Sequence, residues 1–248
     1  MPRFKTIVEY DGTNYHGWQL QPTACTVQGE IEKALEKIFH TRIPVYGAGR
    51  TDAGVHAQGQ VTHLVAPWRH PAQNLLKALN SLLPSDICVK KVLQVGDNFD
   101  ARHSAISKTY QYCIFNHAIR SPLERLYSLQ IGFPLNLDSL KEASLLLVGT
   151  HDFAAFGTPT SGTPSTVREI FEARWQETRE ISTVKFTIRG SGFLRFMVRS
   201  IVGTLIRVGS GKITVQDFND IIESCDRSRS GPTAPPHGLS LISVEYDS

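Results

Sequence analysis

The chain has 248 residues, of which 41% are hydrophobic and 20% charged, as is ordinary for a globular protein of one large domain or two small ones. No apolar run approaches the roughly eighteen residues of a membrane helix, and the first residues alternate in polarity instead of forming a signal peptide. We therefore expect a cytoplasmic protein that uses no membrane. The four cysteines lie far apart, which argues against a disulfide framework and a structural zinc site.

Positive charge is unevenly distributed, although the net charge is only +3. Residues 101–123 contain no Asp or Glu but hold Arg102, Lys108 and Arg120. Residues 181–216 also lack acidic residues and hold Lys185, Arg189, Arg195, Arg199, Arg207 and Lys212. Two such segments favour a positive surface for a polyanion, and chance clustering on solvated faces is the alternative.

The first half of the chain predicts a β-α-β-β-α-β order. Short runs of alternating or β-branched residues predict strands at residues 4–10, 43–46, 58–66 and 87–95. Thr26 can cap a helix that reaches about residue 40, and Pro71 suits the first position of a second helix. This order is the split arrangement of ferredoxin-like folds.

The second half predicts a similar set of elements. Strands are expected at residues 109–115, 167–176, 182–189 and 239–244. Helices are expected from Asn136 or Asp138 to Gly149, over residues 194–208, and after a capping box of Thr214 and Asp217. Residues 157–165 and 228–238 are loops that are either functional or plain connections.

These elements predict an α/β (α+β) fold with two ferredoxin-like, RRM-like halves, residues 1–100 and 101–248. We expect the halves to be joined through a mixed, mainly antiparallel sheet with helices on one side, and the active cleft to lie between them.

The segment of residues 47–57 holds a single carboxylate among cations. Asp52 is the only Asp or Glu in residues 37–85, Arg50 precedes it by two positions and His56 follows it by four. The segment matches no P-loop, dinucleotide, zinc-protease or nucleophile-elbow motif. The residues therefore indicate chemistry by one carboxylate without metal or cofactor, while an Asx-turn with Arg50 as a surface partner is the alternative.

Residues 49–57 read Gly-Arg-Thr-Asp-Ala-Gly-Val-His-Ala and resemble the signature of the TruA family of tRNA pseudouridine synthases. Further blocks resemble the family in the same order at residues 10–19, 26–29, 99–102, 108–112, 149–153 and 193–203. The resemblance covers nearly the whole chain. It departs from the family at Arg195-Phe196, where many relatives carry Tyr-His or His-His, and at Ser200, where Asn is common.

The resemblance implies roles for individual residues. Asp52 matches the catalytic aspartate, Tyr110 the tyrosine that packs on the target base, and Arg199 the arginine that pairs with the aspartate. Arg50 matches the motif arginine that displaces the target nucleotide or holds the loop. Further contacts with RNA are expected from Lys108, His56 and Arg195. The family also implies a homodimer that binds the anticodon arm of tRNA and modifies uridines 38, 39 and 40.

This reaction needs no cofactor, because it breaks the ribose C1′–N1 bond, rotates the uracil and joins C1′ to C5 without loss or gain of atoms. The sequence leaves open whether Asp52 attacks C1′, attacks C6 or assists glycal formation. Two other functions are the alternatives. A catalytically silent RNA-binding protein would not need the Asp52, Tyr110 and Arg199 set, and a small-molecule hydrolase would want a second acid near Asp52.

Overall fold

The computed structural model describes residues 1–159, 165–178 and 182–247. These residues form two compact units, which are Met1–Ile106 with Ser240–Ser248, and Ser107–Leu239. Within the described ranges, no helix is both long and apolar enough to cross a membrane.

The first unit has the predicted β-α-β-β-α-β order. Its elements are β1 (Arg3–Tyr10), α1 (Val27–Phe39), β2 (Tyr46–Gly47), β3 (His56–Val65), α2 (Ala72–Leu82) and β4 (Ile87–Val95). Strand β1 pairs antiparallel with β3 and β4, and β2 pairs antiparallel with β3. The resulting order β4-β1-β3-β2 is that of a ferredoxin-like fold, which confirms this part of the prediction.

The last strand of the chain, β10 (Leu239–Tyr246), joins the same sheet. It pairs parallel with β3, where Ser240 lies opposite His56 and Leu241 opposite Ala57. Strand β2 pairs with the other end of β3, at His63. The edge of β3 is therefore shared by two strands, of which β10 is parallel and β2 antiparallel to it.

The core of this unit is formed by side chains from its sheet and its first helix. Alternate residues of β1, from Phe4 to Tyr10, are buried, as expected when one face of a strand meets a core. Helix α1 buries Val27, Ile31 and Leu35. On the sheet, Ala48, Val61 and Ala101 form a second small cluster with Phe99 and Tyr246 packed against it. Residues 99–101 thus cover part of the sheet.

The second unit is also mainly antiparallel. Its elements are β5 (Ala105–Asn116), β6 (Leu129–Ile131), α3 (Leu137–Leu145), β7 (Gly149–Asp152), β8 (Val167–Thr178), β9 (Thr183–Gly190), α4 (Met197–Gly209) and α5 (Val215–Ser224). Strand β9 pairs antiparallel with β5 and β8, and β8 pairs with β7. The order β5-β9-β8 repeats β1-β3-β2 of the first unit. The predicted mixed α/β class is therefore confirmed.

Helix α4 is the most buried helix-forming segment of the second unit. Met197, Ile201 and Leu205 are fully buried, as the helical spacing predicts. Helix α5 begins with the predicted capping box, in which Thr214 and Asp217 each accept a bond from the other's amide. The N-terminus of α5 and the buried face of α4 could be predicted because each depends on residues within one or two helical turns of each other.

Four predicted boundaries were wrong for local reasons. The strand expected at residues 43–46 shrinks to Tyr46–Gly47, since Pro44 lacks an N–H and the amide of Val45 donates to Glu32 at 3.1 Å. Helix α2 begins after Pro71, whose ψ of 144° is extended.

The other two differences flank helices of the second unit. Helix α3 ends at Leu145, and Gly149 with a φ of 109° begins β7 instead of ending the helix. Helix α4 begins at Met197 and not at residue 194, because Phe196 has a left-handed φ of 64°, which is incompatible with a right-handed helix. In the loop expected at 157–165, residues 160–164 lie outside the described residues.

Thr26 caps the N-terminus of α1, and a substitution can test this role. Its side chain accepts from the amide of Gly29 at 3.2 Å at the helix N-terminus. Thr26→Ala should lower the free energy of unfolding by about 1 kcal/mol, because a helix amide loses its partner. Chemical denaturation measures this, and Thr23→Ala in the exposed preceding loop is the control. Equal losses in both variants would contradict the capping role.

Candidate active site

Asp52 opens a tight turn in the first unit. The amide of Val55 donates to the carbonyl of Asp52 at 3.1 Å, and Gly54 at the third position has a φ of 77°. Such a conformation favours glycine, which has no Cβ to clash. The Asp52 side chain is half-buried, and Arg50 is exposed. We refer to residues 51–55 as the aspartate loop.

The residue directly before the aspartate is held from two sides. The carbonyl of Thr51 accepts from the amide of Trp18 at 3.1 Å, and its hydroxyl lies 2.8 Å from that of Tyr10. Burial raises the pKa of Tyr10 to about 12, so this phenol stays neutral at physiological pH. Two positions before Thr51, the carbonyl of Gly49 accepts from Gln60 Nε2 at 2.9 Å. These bonds fix the backbone that carries the carboxylate.

Two glycines of block 10–19 let this loop approach. A Cβ on Gly12 would lie 2.0 Å from the carbonyl oxygen of Val55. A Cβ on Gly17 would lie 2.6 Å from that of Thr51, and Gly17 has a φ of 88°. The backbone of block 10–19 is therefore in contact with that of the aspartate loop.

Gly17→Ala tests this close approach. The added methyl group must displace the aspartate loop, and a left-handed Ala costs about 1–2 kcal/mol. We expect the catalytic rate of the site to fall about 10- to 100-fold, since displacement of a reacting group by about 1 Å has that effect. Gly96→Ala is the control, because its Cβ would meet nothing within 4 Å. Steady-state rates near wild type for Gly17→Ala would contradict the argument.

His56 lies at the end of the loop and is buried, with 5% of its surface exposed. Its Nδ1 accepts from the amide of Gly12 at 3.0 Å and lies 3.1 Å from Asp11 Oδ1. One nitrogen cannot accept from the amide and donate to the carboxylate at once. We assign it as the acceptor, because the amide hydrogen has a fixed direction. This favours a positioning role, and contact of His56 with RNA stays a prediction.

In the second unit, Lys108 and Tyr110 lie on β5, opposite Gly190 and Ile188 of β9. Alternate residues of a strand share a face. Tyr110 is 7% exposed, and its ring meets that of Phe193 edge-on, with centroids 5.1 Å apart. Lys108 is half-buried. The Tyr110 ring is therefore held in place by a second aromatic ring.

Arg199 is half-buried on α4. Its Nε donates to the carbonyl of Ala234 at 2.7 Å, and its Cζ lies 5.5 Å from the centre of the Phe196 ring. Burial raises the pKa of the Tyr112 phenol, and the positive charge of Arg199 opposes this effect. The Tyr112 hydroxyl donates to the carbonyl of Pro235 at 2.8 Å. Arg199 is thus surrounded by groups that fix its direction.

Tyr112 and Ala234 were not predicted to belong to the site. The sequence pattern could have indicated Tyr112, because it follows Tyr110 by two positions and lies on the same face of the strand. No sequence pattern could have indicated Ala234, since it contacts Arg199 through its backbone carbonyl.

Arg195 precedes α4 and is exposed. Its Cζ lies 4.6 Å from the centre of the Phe196 ring, so that Arg195 and Arg199 flank one aromatic ring. The amide and carbonyl of Arg195 pair with those of Thr158. Phe196 has a left-handed backbone conformation, which is uncommon for an aromatic residue. Such conformations are often found near functional sites.

The predicted site residues thus belong to two units. Asp52, Arg50 and His56 lie in the first, and Lys108, Tyr110, Arg195 and Arg199 in the second. Their assembly into one catalytic site stays a prediction. In the ranges that the structure describes, no group of three or more His, Cys, Asp or Glu residues is arranged to hold a metal ion.

Comparison with known proteins agrees with the resemblance. The family profile described as "tRNA pseudouridine synthase" matches residues 6–104 and 143–247. tRNA pseudouridine synthase A of Thermoanaerobacter sp. (strain X514) is 45% identical over 240 residues, or 97% of this chain and 98% of that protein. Its namesake from Bacillus subtilis (strain 168) is 43% identical over 247 residues, or 99% of each chain. The chain therefore belongs to the tRNA pseudouridine synthase family.

Proposed function

We propose that this protein is an isomerase that converts uridine to pseudouridine in tRNA, at positions 38, 39 and 40 of the anticodon arm. The observation that carries the proposal is the family match, which includes Asp52 in its first range and Arg199 in its second. Tyr110 falls between the two ranges, and its assignment depends on the Lys-Thr-Tyr sequence at 108–110. We expect no cofactor, because the reaction only exchanges one bond to C1′ for another.

Asp52 is the proposed nucleophile. Its carboxylate adds to the target nucleotide, or assists departure of the uracil, while the C1′–N1 bond breaks. The uracil then rotates, and C1′ bonds to C5 as any bond to the carboxylate breaks. The proton on C5 is lost to water and N1 gains a proton, so the product is an isomer of uridine. A group that can add and then depart suits such an exchange. The backbone bonds to Thr51 and Gly49 support this role, because they hold the loop that carries the carboxylate.

Arg199 is proposed to keep Asp52 ionised. Burial against substrate would raise the pKa of the carboxyl group. A cation at about 4 Å contributes roughly 4 kcal/mol at an effective dielectric constant near 20, and one pKa unit corresponds to about 1.36 kcal/mol. The bond from Arg199 to Ala234 supports the proposal, because it gives the guanidinium group a defined direction.

The target uridine must leave its stack in the RNA, at a cost of a few kcal/mol. Tyr110 is proposed to pack on the flipped base, which returns about 1–3 kcal/mol. Phe193 supports the Tyr110 ring. Arg50 and Arg195 are exposed cations and, with Lys108, suit contacts with phosphate. His56 completes the proposed set of RNA-binding residues.

Two further parts of the proposal come from the family. We propose a homodimer in which both subunits contact one tRNA, and a cytoplasmic location, where the tRNA substrate is present. Sedimentation with and without tRNA tests the first, and a stoichiometry of one tRNA per monomer would oppose it.

Tritium release from tRNA labelled at uridine C5 tests the reaction directly. The wild-type protein should release tritium and leave pseudouridine in the anticodon arm. The matched control is the same tRNA with cytidine at positions 38 to 40. Binding of tRNA without release would favour the silent RNA-binding protein, and activity on free uridine without need for tRNA would favour the small-molecule enzyme.

A further inference from the structure

Residues 231–235 lie directly on helix α4, and we call this segment the strap. A Cβ on Gly203 would lie 1.7 Å from the carbonyl oxygen of Pro232. The amide of Gly231 donates to Thr204 Oγ1 at 2.9 Å. The strap therefore contacts the helix through backbone atoms, at a place where the helix has no side chain in the way.

The strap holds Arg199 by two bonds to one residue. The amide of Ala234 donates to the carbonyl of Arg199 at 3.0 Å, and Arg199 Nε donates to the carbonyl of Ala234 at 2.7 Å. A guanidinium group is planar and carries its five N–H donors in a fixed fork. A bond at Nε therefore fixes the direction of one donor and restricts the positions that both Nη groups can reach.

Arg227 connects the strap to the helix. Its Nη2 donates to Thr233 Oγ1 at 2.9 Å and to Ser200 Oγ at 3.1 Å. Its Nη1 donates to the carbonyl of Gly231 at 3.5 Å and also contacts Ser230 Oγ. Ser200 directly follows Arg199, so one side chain joins Gly231 and Thr233 of the strap to the turn of α4 that carries Arg199.

We propose that Arg227 is a positioning residue for pseudouridine formation, which acts by holding the strap and thereby the guanidinium group of Arg199. The inference rests on the proposed function, in which Arg199 keeps Asp52 ionised. Loss of Arg227 leaves Arg199 in place on its helix but frees its side chain to rotate. The effect should therefore fall on the chemical step and on the ionisation of Asp52.

Arg227→Ala tests this in the full-length protein with labelled tRNA. We expect kcat to fall about 10- to 100-fold, as for other misplaced groups, with the dissociation constant for tRNA within about threefold of wild type. The acidic limb of the kcat–pH profile should move to higher pH by up to about one unit. A tenfold decrease in the equilibrium constant that favours the ionised carboxylate corresponds to about one pH unit. Arg227→Lys should lose part of kcat, since an ammonium group cannot span the same four acceptors.

Arg229→Ala is the matched control. It removes the same charge two positions away, where the guanidinium group donates to the carbonyl of Asp220 at 3.3 Å. It should keep the wild-type kcat and pH profile. If both variants weaken tRNA binding equally and leave the pH limb in place, Arg227 contacts phosphate and the positioning role is wrong.

Gly203→Ala removes no charge but displaces the strap, and thus separates the two causes. It should reproduce the fall in kcat and the shift of the acidic limb, with thermal unfolding measured to confirm that it folds. A wild-type kcat and pH limb in this variant, or in Arg227→Ala, would overturn the inference. Absence of tritium release by the wild type would instead overturn the proposed function on which the inference depends.

Discussion

Asp52→Asn should abolish tritium release from labelled tRNA, with a rate about four to six orders of magnitude below wild type, as when other enzymes lose their nucleophile. The amide keeps the size of the side chain and its hydrogen-bonding capacity but carries no negative charge and adds poorly to carbon. The dissociation constant for tRNA should stay near that of wild type, because phosphate contacts supply most of the affinity for nucleic acid.

Asp97→Asn is the control for Asp52→Asn, since Asp97 is an exposed carboxylate of the same unit. It should leave the rate unchanged. More than about a tenth of wild-type activity in Asp52→Asn would show that another group performs the chemistry, because a true nucleophile contributes far more than tenfold. The fold and the family would stand in that case.

Arg199→Met should lower kcat about a thousandfold. The variant keeps the length and apolar part of the side chain but removes the cation, whose contribution of roughly 4 kcal/mol corresponds to about three powers of ten in rate. Without this cation, the charged form of Asp52 loses the stabilisation proposed above. The acidic limb of kcat should therefore move upward, and raising the pH should restore part of the rate.

Lys212→Met is the control for Arg199→Met, because it removes one exposed charge from the same basic segment. It should weaken tRNA binding slightly at low salt and leave the pH profile unchanged. An unshifted profile in Arg199→Met, together with weakened tRNA binding, would assign Arg199 to phosphate contact and leave Asp52 without its proposed partner.

Local features of the fold could be predicted from the sequence. Strand β4 matches the predicted residues 87–95, and the caps at Thr26 and Thr214 form as expected. These features depend on residues within four positions of each other, whose mutual geometry the backbone restricts. The errors in the first residues of α2 and α4 are also local. Each depends on one backbone dihedral angle, at Pro71 or Phe196, that the sequence does not reveal.

The candidate site divides in the same way. Asp52 could be singled out because its signature is continuous in sequence, and Tyr110 and Arg199 because their neighbours match family blocks. Whether the three act together stays a prediction for the variants above to test. The residues that hold Arg199, by contrast, come from a loop that the sequence described only as functional or plain.

The sequence by itself determined the order of the longer strands and of the helices, the first helix cap and the family, because each depends on patterns within short segments. It did not predict the short strands β6 and β7. Only the tertiary structure decided why Gly12 must be glycine, since Val55 approaches it from 43 positions away. It likewise decided that Ala234 holds Arg199. Both contacts are made by backbone carbonyls, which every residue carries and no sequence pattern marks.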